Sequence, residues 1–163
     1  TADELDTARR RVEGSLSALK GAGFPEGQIY RSPTKANDIP GALDAANSIL
    51  VQHPEVKNWL IVGMNDNTVL GGVRATEGQG FEAENVIGIG INGVDAGNEL
   101  SKSSATGFLG SLLPSPDVHG YKSIQMLHDW VVNGAEPAKF TEVTDVVLIT
   151  RDNFKVELQK KGL

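Results

Sequence analysis

Two apolar runs of this sequence each end close to an asparagine, and an aspartate follows that asparagine within three residues. The runs are Trp59–Val62 and Val86–Ile91, and the polar residues are Asn65 with Asp66 and Asn92 with Asp95. Continuous apolar runs are typical of buried parallel strands, and open parallel sheets bind ligands at the carboxyl ends of their strands. An amide both donates and accepts hydrogen bonds, so it can hold paired hydroxyl groups without a charged ligand. The pattern therefore predicts a polar site at one edge of a parallel sheet.

Helix capping is a competing explanation for these polar residues. Asparagine and aspartate after a strand are common helix caps and turn formers. That role alone accounts well for Asp66 and Asp95. It accounts less well for two successive strands that both end in asparagine. The sequence leaves both interpretations of Asn65 and Asn92 open.

Three consecutive arginines, Arg9, Arg10 and Arg11, lie on the first predicted helix. On a helical wheel Arg10 points away from the apolar stripe, while Arg9 and Arg11 flank it. The ordinary interpretation is a solvated face. An arginine near the ligand edge of the sheet could instead donate a fork of hydrogen bonds to a hydroxyl or a ring oxygen. Spacing alone does not select one of the three.

The pattern Gly88-Ile-Gly90-Ile-Asn-Gly93 matches the G-x-G-x-x-G fingerprint of dinucleotide-binding domains. Such a domain also needs an acidic residue about 20 positions further on. That region has no acid before Asp117, which lies in a predicted helix start. An NAD-dependent enzyme is therefore a disfavoured alternative. The histidines lack metal-ligand spacing and no G-x-S-x-G motif is present, so we expect no metal, cofactor or catalytic residue.

Helices alternate with strands along the chain, which predicts an α/β fold with a parallel sheet. The predicted helices cover residues 6–21, 38–53, 68–77, 95–100, 115–132 and 152–161. The predicted strands cover residues 28–31, 59–64, 86–91, 106–112 and 140–149. Within the third helix, the Gly71-Gly72 pair should let a neighbouring element approach closely.

Composition limits the classes of function. The chain has 163 residues, a net charge of −6 and no cysteine. Disulfides and thiolate metal sites are therefore excluded, and a nucleic-acid-binding surface is disfavoured. No apolar run approaches the roughly 20 residues that span a bilayer. Because the sequence opens on Thr1 inside an apparent helix, we interpret it as a mature or cut piece of a longer protein.

Seven segments together resemble the arabinose-binding family of periplasmic proteins that serve bacterial ABC sugar importers. They are TADELDTARRR, NDIPGALDAANS, VQHPEVKNWLIVGMND, TVLGGVRATEGQGF, IGIGINGVDA, GSLLPSPDVHGYKS and KFTEVTDVVLITRDNF. The resemblance covers essentially the whole chain. It implies a three-layer, parallel-sheet lobe of a type I periplasmic binding protein, located in the periplasm and without catalysis. The implied partners are L-arabinose, or a related pyranose such as D-galactose or D-fucose, and a membrane permease.

The resemblance also implies which residues form the site. Arg11, Asn65, Asn92 and Asp95 match sugar contacts of the family's carboxyl-terminal lobe, so the resemblance selects Arg11 from the arginine triplet. Leu5, Thr7, Met64 and Thr68 should line the same wall, and Pro114 matches a segment that crosses between lobes near the pocket.

The resemblance finally implies an incomplete fold, because the family's proteins are about twice as long. The amino-terminal lobe and the first strand of the carboxyl-terminal lobe are absent. Residues 1–113 and 146–163 should form the carboxyl-terminal lobe, while residues 114–145 cross to the absent one. A sugar held from one side should bind weakly, and an exposed lobe-facing surface should favour a homodimer or domain swap. The alternative function is the effector-binding core of a sugar-responsive transcriptional repressor.

Overall fold

The computed structural model describes residues 6–141 and 145–163 of the chain. Its helices are α1 (Asp6–Gly21), α2 (Ile39–Gln52), α3 (Asp66–Gly78), α4 (Ala96–Leu100), α5 (Pro116–Asn133) and α6 (Phe154–Lys160). Its strands are β1 (Trp59–Val62), β2 (Val86–Ile91), β3 (Phe108–Pro114) and β4 (Val146–Thr150). Two 3₁₀ turns, Glu26–Gln28 and Ala83–Asn85, complete the described elements. The predicted α/β fold is confirmed.

The four strands form one sheet in the order β1-β2-β3-β4. The first two pairings are parallel, with Ile61 opposite Gly88 and Ile91 opposite Leu112. β4 instead pairs antiparallel to β3, so the predicted parallel sheet has one antiparallel strand at this edge. Strands β1, β2 and β3 all run in the same direction. The carboxyl ends of β1, β2 and β3 therefore meet at one edge.

The buried core lies between the sheet and helices α3, α4 and α6. It comprises Val69, Leu70, Val73, Val86, Ala96, Leu100, Phe108, Leu113, Ile149 and Phe154. The predicted close approach at the glycine pair is confirmed. A Cβ on Gly71 would lie 2.5 Å from the Ile39 carbonyl oxygen, and one on Gly72 would lie 2.8 Å from the Ile61 Cγ2. Both α2 and β1 thus pack against α3 at distances that only glycine permits.

The short strand predicted at residues 28–31 is wrong. The chain there leaves a 3₁₀ turn at Gln28 and continues in irregular structure to Thr34. A cavity of about 830 Å³ lies between this segment and the edge of β1, and α1 and α2 also line it. A strand needs a neighbour about 4.8 Å away to pair with, and the cavity separates the segment from β1.

One face of the sheet remains open to solvent. Its exposed apolar side chains include Leu60, Val62, Ile87, Leu112, Val146 and Leu148. Helix α5 is also uncovered, since none of the side chains at residues 118–133 is buried. Its exposed apolar residues include Tyr121, Ile124, Leu127 and Val131. No helix within residues 6–141 and 145–163 has both the length and the apolar character needed to cross a membrane.

Candidate functional site

Arg11 joins three elements at the carboxyl edge of the sheet. Its Nη1 donates to the Met64 carbonyl oxygen at 2.8 Å and to the Asn92 Oδ1 at 3.3 Å. Met64 follows β1 and Asn92 follows β2, whereas Arg11 comes from α1. The structure thus brings together three of the residues that the resemblance implied. The remaining N–H groups of this guanidinium have no protein partner within the described residues, so they can donate to a ligand.

Asn65 is the N-cap of α3. Its Oδ1 accepts from the Thr68 backbone N–H at 2.8 Å. The Asn65 backbone N–H in turn donates to the Thr68 hydroxyl at 3.3 Å, which completes a capping box. This cap lets α3 begin at Asp66, two residues before the predicted start. The capping interpretation of Asn65 is therefore correct, although it leaves the Nδ2 donors unused among the described residues. The amide oxygen supports the fold and the amide nitrogen remains for a ligand.

Asn92 has an unusual backbone conformation. Its φ of 113° makes it the only non-glycine residue with positive φ in the part of the chain that the structure describes. Such a conformation persists only where the surroundings hold it, and it is often found in functional sites. Because Oδ1 accepts from Arg11, the Asn92 Nδ2 is left to donate. Asn65 and Asn92 thus present the same kind of donor from neighbouring strand ends.

Asp95 supplies an acceptor. Its Oδ2 accepts from Asn67 Nδ2 at 3.2 Å, an interaction that links the α3 start to the loop after β2. Asn67 was missed by sequence reasoning, since nothing but its position next to Asp66 marks it. Asp95 occupies the N-cap position of α4 but makes no capping hydrogen bond through its side chain, so it acts there as a turn residue and not as a side-chain cap. The exposed carboxylate keeps an oxygen for a ligand hydroxyl.

Asp66 lies beneath these residues and is fully buried. Burial raises the pKa of its carboxyl group, while hydrogen bonds from Ser111 and from the backbone N–H groups of Gly93 and Ala96 act to lower that pKa. The Gly93 bond measures 2.8 Å. The sequence places Asp66 either at the ligand edge of the sheet or in a helix cap. Neither expectation includes its contacts with Gly93 and Ser111, which join positions far apart in the chain.

The other predicted site residues have less direct support. The Thr68 hydroxyl donates to the Asn65 carbonyl oxygen at 3.0 Å, so it acts within the capping box. Pro114 ends β3 at the same edge of the sheet, and no hydrogen bond links it to Arg11 or Asn92. Thr7 belongs to the first turn of α1, and Leu5 lies outside the described residues.

The arrangement fits a neutral polyol. Amide and guanidinium nitrogens donate, and the Asp95 carboxylate accepts, so a hydroxyl can both accept and donate at this edge. Within residues 6–141 and 145–163, no group of three or more His, Asp or Glu side chains could hold a metal ion. The glycine fingerprint does not form an anion site, because the Gly93 N–H already bonds to Asp66 and α4 has only five residues.

Comparison with known protein families identifies a family to which this chain is similar. The family described as "Periplasmic binding proteins and sugar binding domain of LacI family" matches residues 1–157. The chain is 79% identical over 163 residues to the L-arabinose-binding periplasmic protein of Escherichia coli (strain K12). It is 40% identical over 161 residues to the ABC transporter L-arabinose-binding periplasmic protein of Azospirillum brasilense. The alignments cover 100% and 98% of this chain but only 50% and 48% of those proteins. The chain thus spans about half the length of the curated relatives it matches.

Solved structures show the same fold at low sequence identity. A Caulobacter myo-inositol binding protein is 22% identical with a TM-score of 0.74, over 93% of this chain and 49% of that one. A galactofuranose binding protein is 24% identical with a TM-score of 0.71, over 90% of this chain and 48% of that one. These similarities bear on the fold alone.

Proposed function

The chain belongs to the family of periplasmic binding proteins and LacI-type sugar-binding domains, and from that premise we propose that it forms one wall of a sugar site that binds L-arabinose. Related pyranoses such as D-galactose or D-fucose present similar hydroxyl patterns and are secondary candidates. Two relatives at 79% and 40% identity are L-arabinose-binding periplasmic proteins, which supports this choice of sugar. The proposed ligand contacts are Arg11, Asn65, Asn92 and Asp95, with Leu5, Thr7, Met64, Thr68 and Pro114 around them.

The observation that carries this proposal is the position of Arg11. By bonding to Met64 and to Asn92, its guanidinium joins the ends of two adjacent parallel strands. Unused donors of Asn65 and Asn92 lie at these same strand ends. Donors fixed in this way discriminate between hydroxyl configurations, because a buried donor left unpaired by the wrong epimer costs about 1–3 kcal/mol.

A second lobe completes the site in this proposal. Residues 1–113 and 146–163 form one lobe, and residues 114–145 cross to the other. Helix α5 supports this division, because its apolar residues Ile124 and Val131 are 68% and 82% exposed and need a covering partner. The cavity beside β1 supports the absence of one strand from the lobe, since a right-handed crossover into α1 would start from a strand in that place.

The biological role follows from the relatives. We propose that the longer protein is periplasmic, delivers its sugar to the membrane permease of an ABC importer and catalyses no reaction. The repressor alternative is not favoured, because both curated relatives are periplasmic binding proteins.

A chemical-shift titration of the ¹⁵N-labelled chain with L-arabinose tests the site. We expect the backbone amides of residues 63–68 and 92–96 to shift with a millimolar dissociation constant. D-Xylose, the C4 epimer of L-arabinose, should produce smaller shifts at the same concentration. The variant Asn92→Ala should lose the response, because it removes both the donor and the Arg11 contact.

Two results would contradict the proposal. Shifts confined to other surfaces would move the ligand away from this edge of the sheet. An unchanged L-arabinose response in Asn92→Ala would remove Asn92 from the site.

A further inference from the structure

The buried Asp66 carboxyl group accepts hydrogen bonds from the loop between β2 and α4, which carries two proposed ligand contacts. It accepts from the backbone N–H groups of Gly93 and Ala96. Gly93 directly follows Asn92, and Ala96 directly follows Asp95. The carboxyl group therefore holds the peptide units that directly follow Asn92 and Asp95, the two proposed ligand contacts on the β2–α4 loop.

The same carboxyl group is tied to α3 and β3. Asp66 is the first residue of α3 and directly follows Asn65. The Ser111 hydroxyl, which is fully buried in the middle of β3, donates to Asp66 Oδ1. We call Asp66, Gly93, Ala96 and Ser111 the Asp66 cluster. Through this cluster the ends of β1 and β2 are fixed relative to each other.

Position 90 of β2 has room only for glycine, because the Asp66 carboxyl group fills the space beside it. A Cβ on Gly90 would lie 2.2 Å from Asp66 Oδ1 and 3.1 Å from the Asp66 Cα. Gly90 therefore permits the start of α3 to approach β2 closely enough for Asp66 to reach the loop. This packing accounts for a glycine in the fingerprint-like pattern without any nucleotide.

Asn92 needs such support because of its backbone conformation. Its φ of 113° is unfavourable for a residue with a Cβ and is maintained only when surrounding contacts over-determine it. Two hydrogen bonds flank this residue, one from its own N–H to the Leu112 carbonyl oxygen at 3.0 Å and one from the Gly93 N–H to Asp66 at 2.8 Å. Together they fix the peptide units on both sides of the Asn92 Cα.

We propose that Asp66 is a positioning residue for ligand binding, which holds the β2–α4 loop so that Asn92 and Asp95 face the ligand. The proposal rests on the proposed function, because Asn92 and Asp95 are contacts only if the sugar binds there. Asp66 itself is buried beneath the site and touches no ligand. Its effect passes through the Gly93 and Ala96 N–H groups.

Two variants test this role on the ¹⁵N-labelled chain. Asp66→Asn replaces one acceptor oxygen by a donor, and Ser111→Ala removes the hydroxyl while leaving the carboxyl group. In both we expect faster hydrogen exchange at the Gly93 amide and a changed HN–Hα coupling at Asn92. We also expect L-arabinose affinity to fall about tenfold, which corresponds to about 1.4 kcal/mol.

Thr76→Val is the matched control. Thr76 is a buried hydroxyl residue of α3 whose Oγ1 donates to the Val73 carbonyl oxygen at 2.7 Å, away from the Asp66 cluster. It should reduce stability without changing Gly93 exchange or L-arabinose affinity. A folded Asp66→Asn or Ser111→Ala variant with wild-type Gly93 exchange and wild-type affinity would overturn the proposal.

The Asn92→Ala variant separates this proposal from the proposed function. If Asn92→Ala loses binding while the Asp66 and Ser111 variants keep it, only the positioning role is overturned. If Asn92→Ala also binds normally, the proposed sugar site is overturned, and with it the positioning role for that sugar.

Discussion

At the scale of single residues, the Asn65 side chain divides its hydrogen-bonding groups between the fold and the proposed ligand. Its Oδ1 is used by the Thr68 N–H at 2.8 Å, which orients the amide nitrogen away from the helix. Asn92 divides its groups in a similar way, because its Oδ1 accepts from Arg11. A sugar would therefore meet amide donors at both strand ends and an acceptor at Asp95.

The two roles of Asn65 can be separated by substitution. Serine is as good an N-cap as asparagine, whereas alanine as N-cap costs about 0.5–2 kcal/mol. We expect Asn65→Ser to keep the stability of the chain and Asn65→Ala to lose about 1 kcal/mol. Both variants should bind L-arabinose at least about tenfold more weakly, because both lack the amide donor. Urea unfolding and a chemical-shift titration measure the two effects; full binding by Asn65→Ser would assign the residue to capping alone.

The buried carboxyl group of Asp66 should give stability an identifiable pH dependence. Burial raises its pKa in the folded protein, so the folded state holds this proton more tightly than the unfolded chain does. Its contribution to stability is therefore greatest below the unfolded-state pKa of about 3.9 and declines as pH rises through the folded-state value. The difference in unfolding free energy between wild type and Asp66→Asn, measured in urea, should decline over that range.

Glu99 supplies a comparison of opposite sign. Burial acts to raise its pKa, but hydrogen bonds from Lys102, Thr106 and Arg74 outweigh that effect and leave the pKa lowered. The difference between wild type and Glu99→Gln should therefore decline as pH falls below about 4.3, the ordinary glutamate value. Equal pH dependence for the two pairs of proteins would contradict at least one of the two assignments.

At the scale of elements, α3 determines where the site residues lie. Its N-terminus carries Asn65 and Asp66, and its glycines let α2 and β1 pack closely against it. A shift of this helix along the sheet would separate Asn65 from Asn92. The packing at Gly71 is therefore part of the site's geometry, although Gly71 is not among the proposed ligand contacts.

Two glycines of α3 give a matched pair for testing this packing. A Cβ on Gly71 would lie 2.5 Å from the Ile39 carbonyl oxygen and 2.6 Å from the Ala42 Cβ, whereas one on Gly78 would meet nothing within 4 Å. Gly71→Ala should lose about 1–3 kcal/mol of stability through overpacking. Gly78→Ala should be neutral or gain up to about 1 kcal/mol from helix propensity. Urea unfolding measures both, and a stable Gly71→Ala variant would show that α2 moves away without cost.

Local signals in the sequence were enough to locate most elements. Asp38 caps α2, with its Oδ1 accepting from the Gly41 N–H at 2.8 Å, and Gly134 ends α5 in the left-handed conformation. Ser115 occupies the N-cap position of α5, but its hydroxyl donates to Asp145 and accepts from Lys161 instead of capping the helix. Those partners are 30 and 46 positions away, so no local pattern could indicate them. The Asp66 cluster escaped prediction for the same reason.

At the scale of the whole molecule, the described residues leave several apolar surfaces exposed. These surfaces are the apolar face of the sheet, the cavity beside β1, which shares Leu60 and Val62 with that face, and the apolar residues of α5. Exposed apolar patches of this kind favour association with a partner. We therefore propose that the isolated chain forms a homodimer or a domain-swapped pair, which sedimentation velocity would detect; a monomer at all concentrations would contradict this.

The cavity beside β1 should accept an added strand. An extension of six apolar, β-branched residues before Thr1 could pair with the free edge of β1 and fill the space lined by Val12 and Leu16. Burial of two such side chains should raise the free energy of unfolding by about 3–6 kcal/mol, before the entropy of ordering the extension is subtracted. A glycine-serine extension of equal length is the control. Equal stability of the two extended chains would show that the cavity is not a strand site.

The affinity of this chain for L-arabinose, measured by isothermal titration calorimetry, most directly tests the proposal that the chain forms only one wall of a sugar site. In the proposed site, Arg11, Asn65, Asn92 and Asp95 would contact the sugar from one side only, which would leave much of its surface in water. We expect a millimolar dissociation constant for the chain and a still higher one for Asn92→Ala. A low-micromolar or tighter dissociation constant would contradict the proposal, because the described wall would then be a complete site.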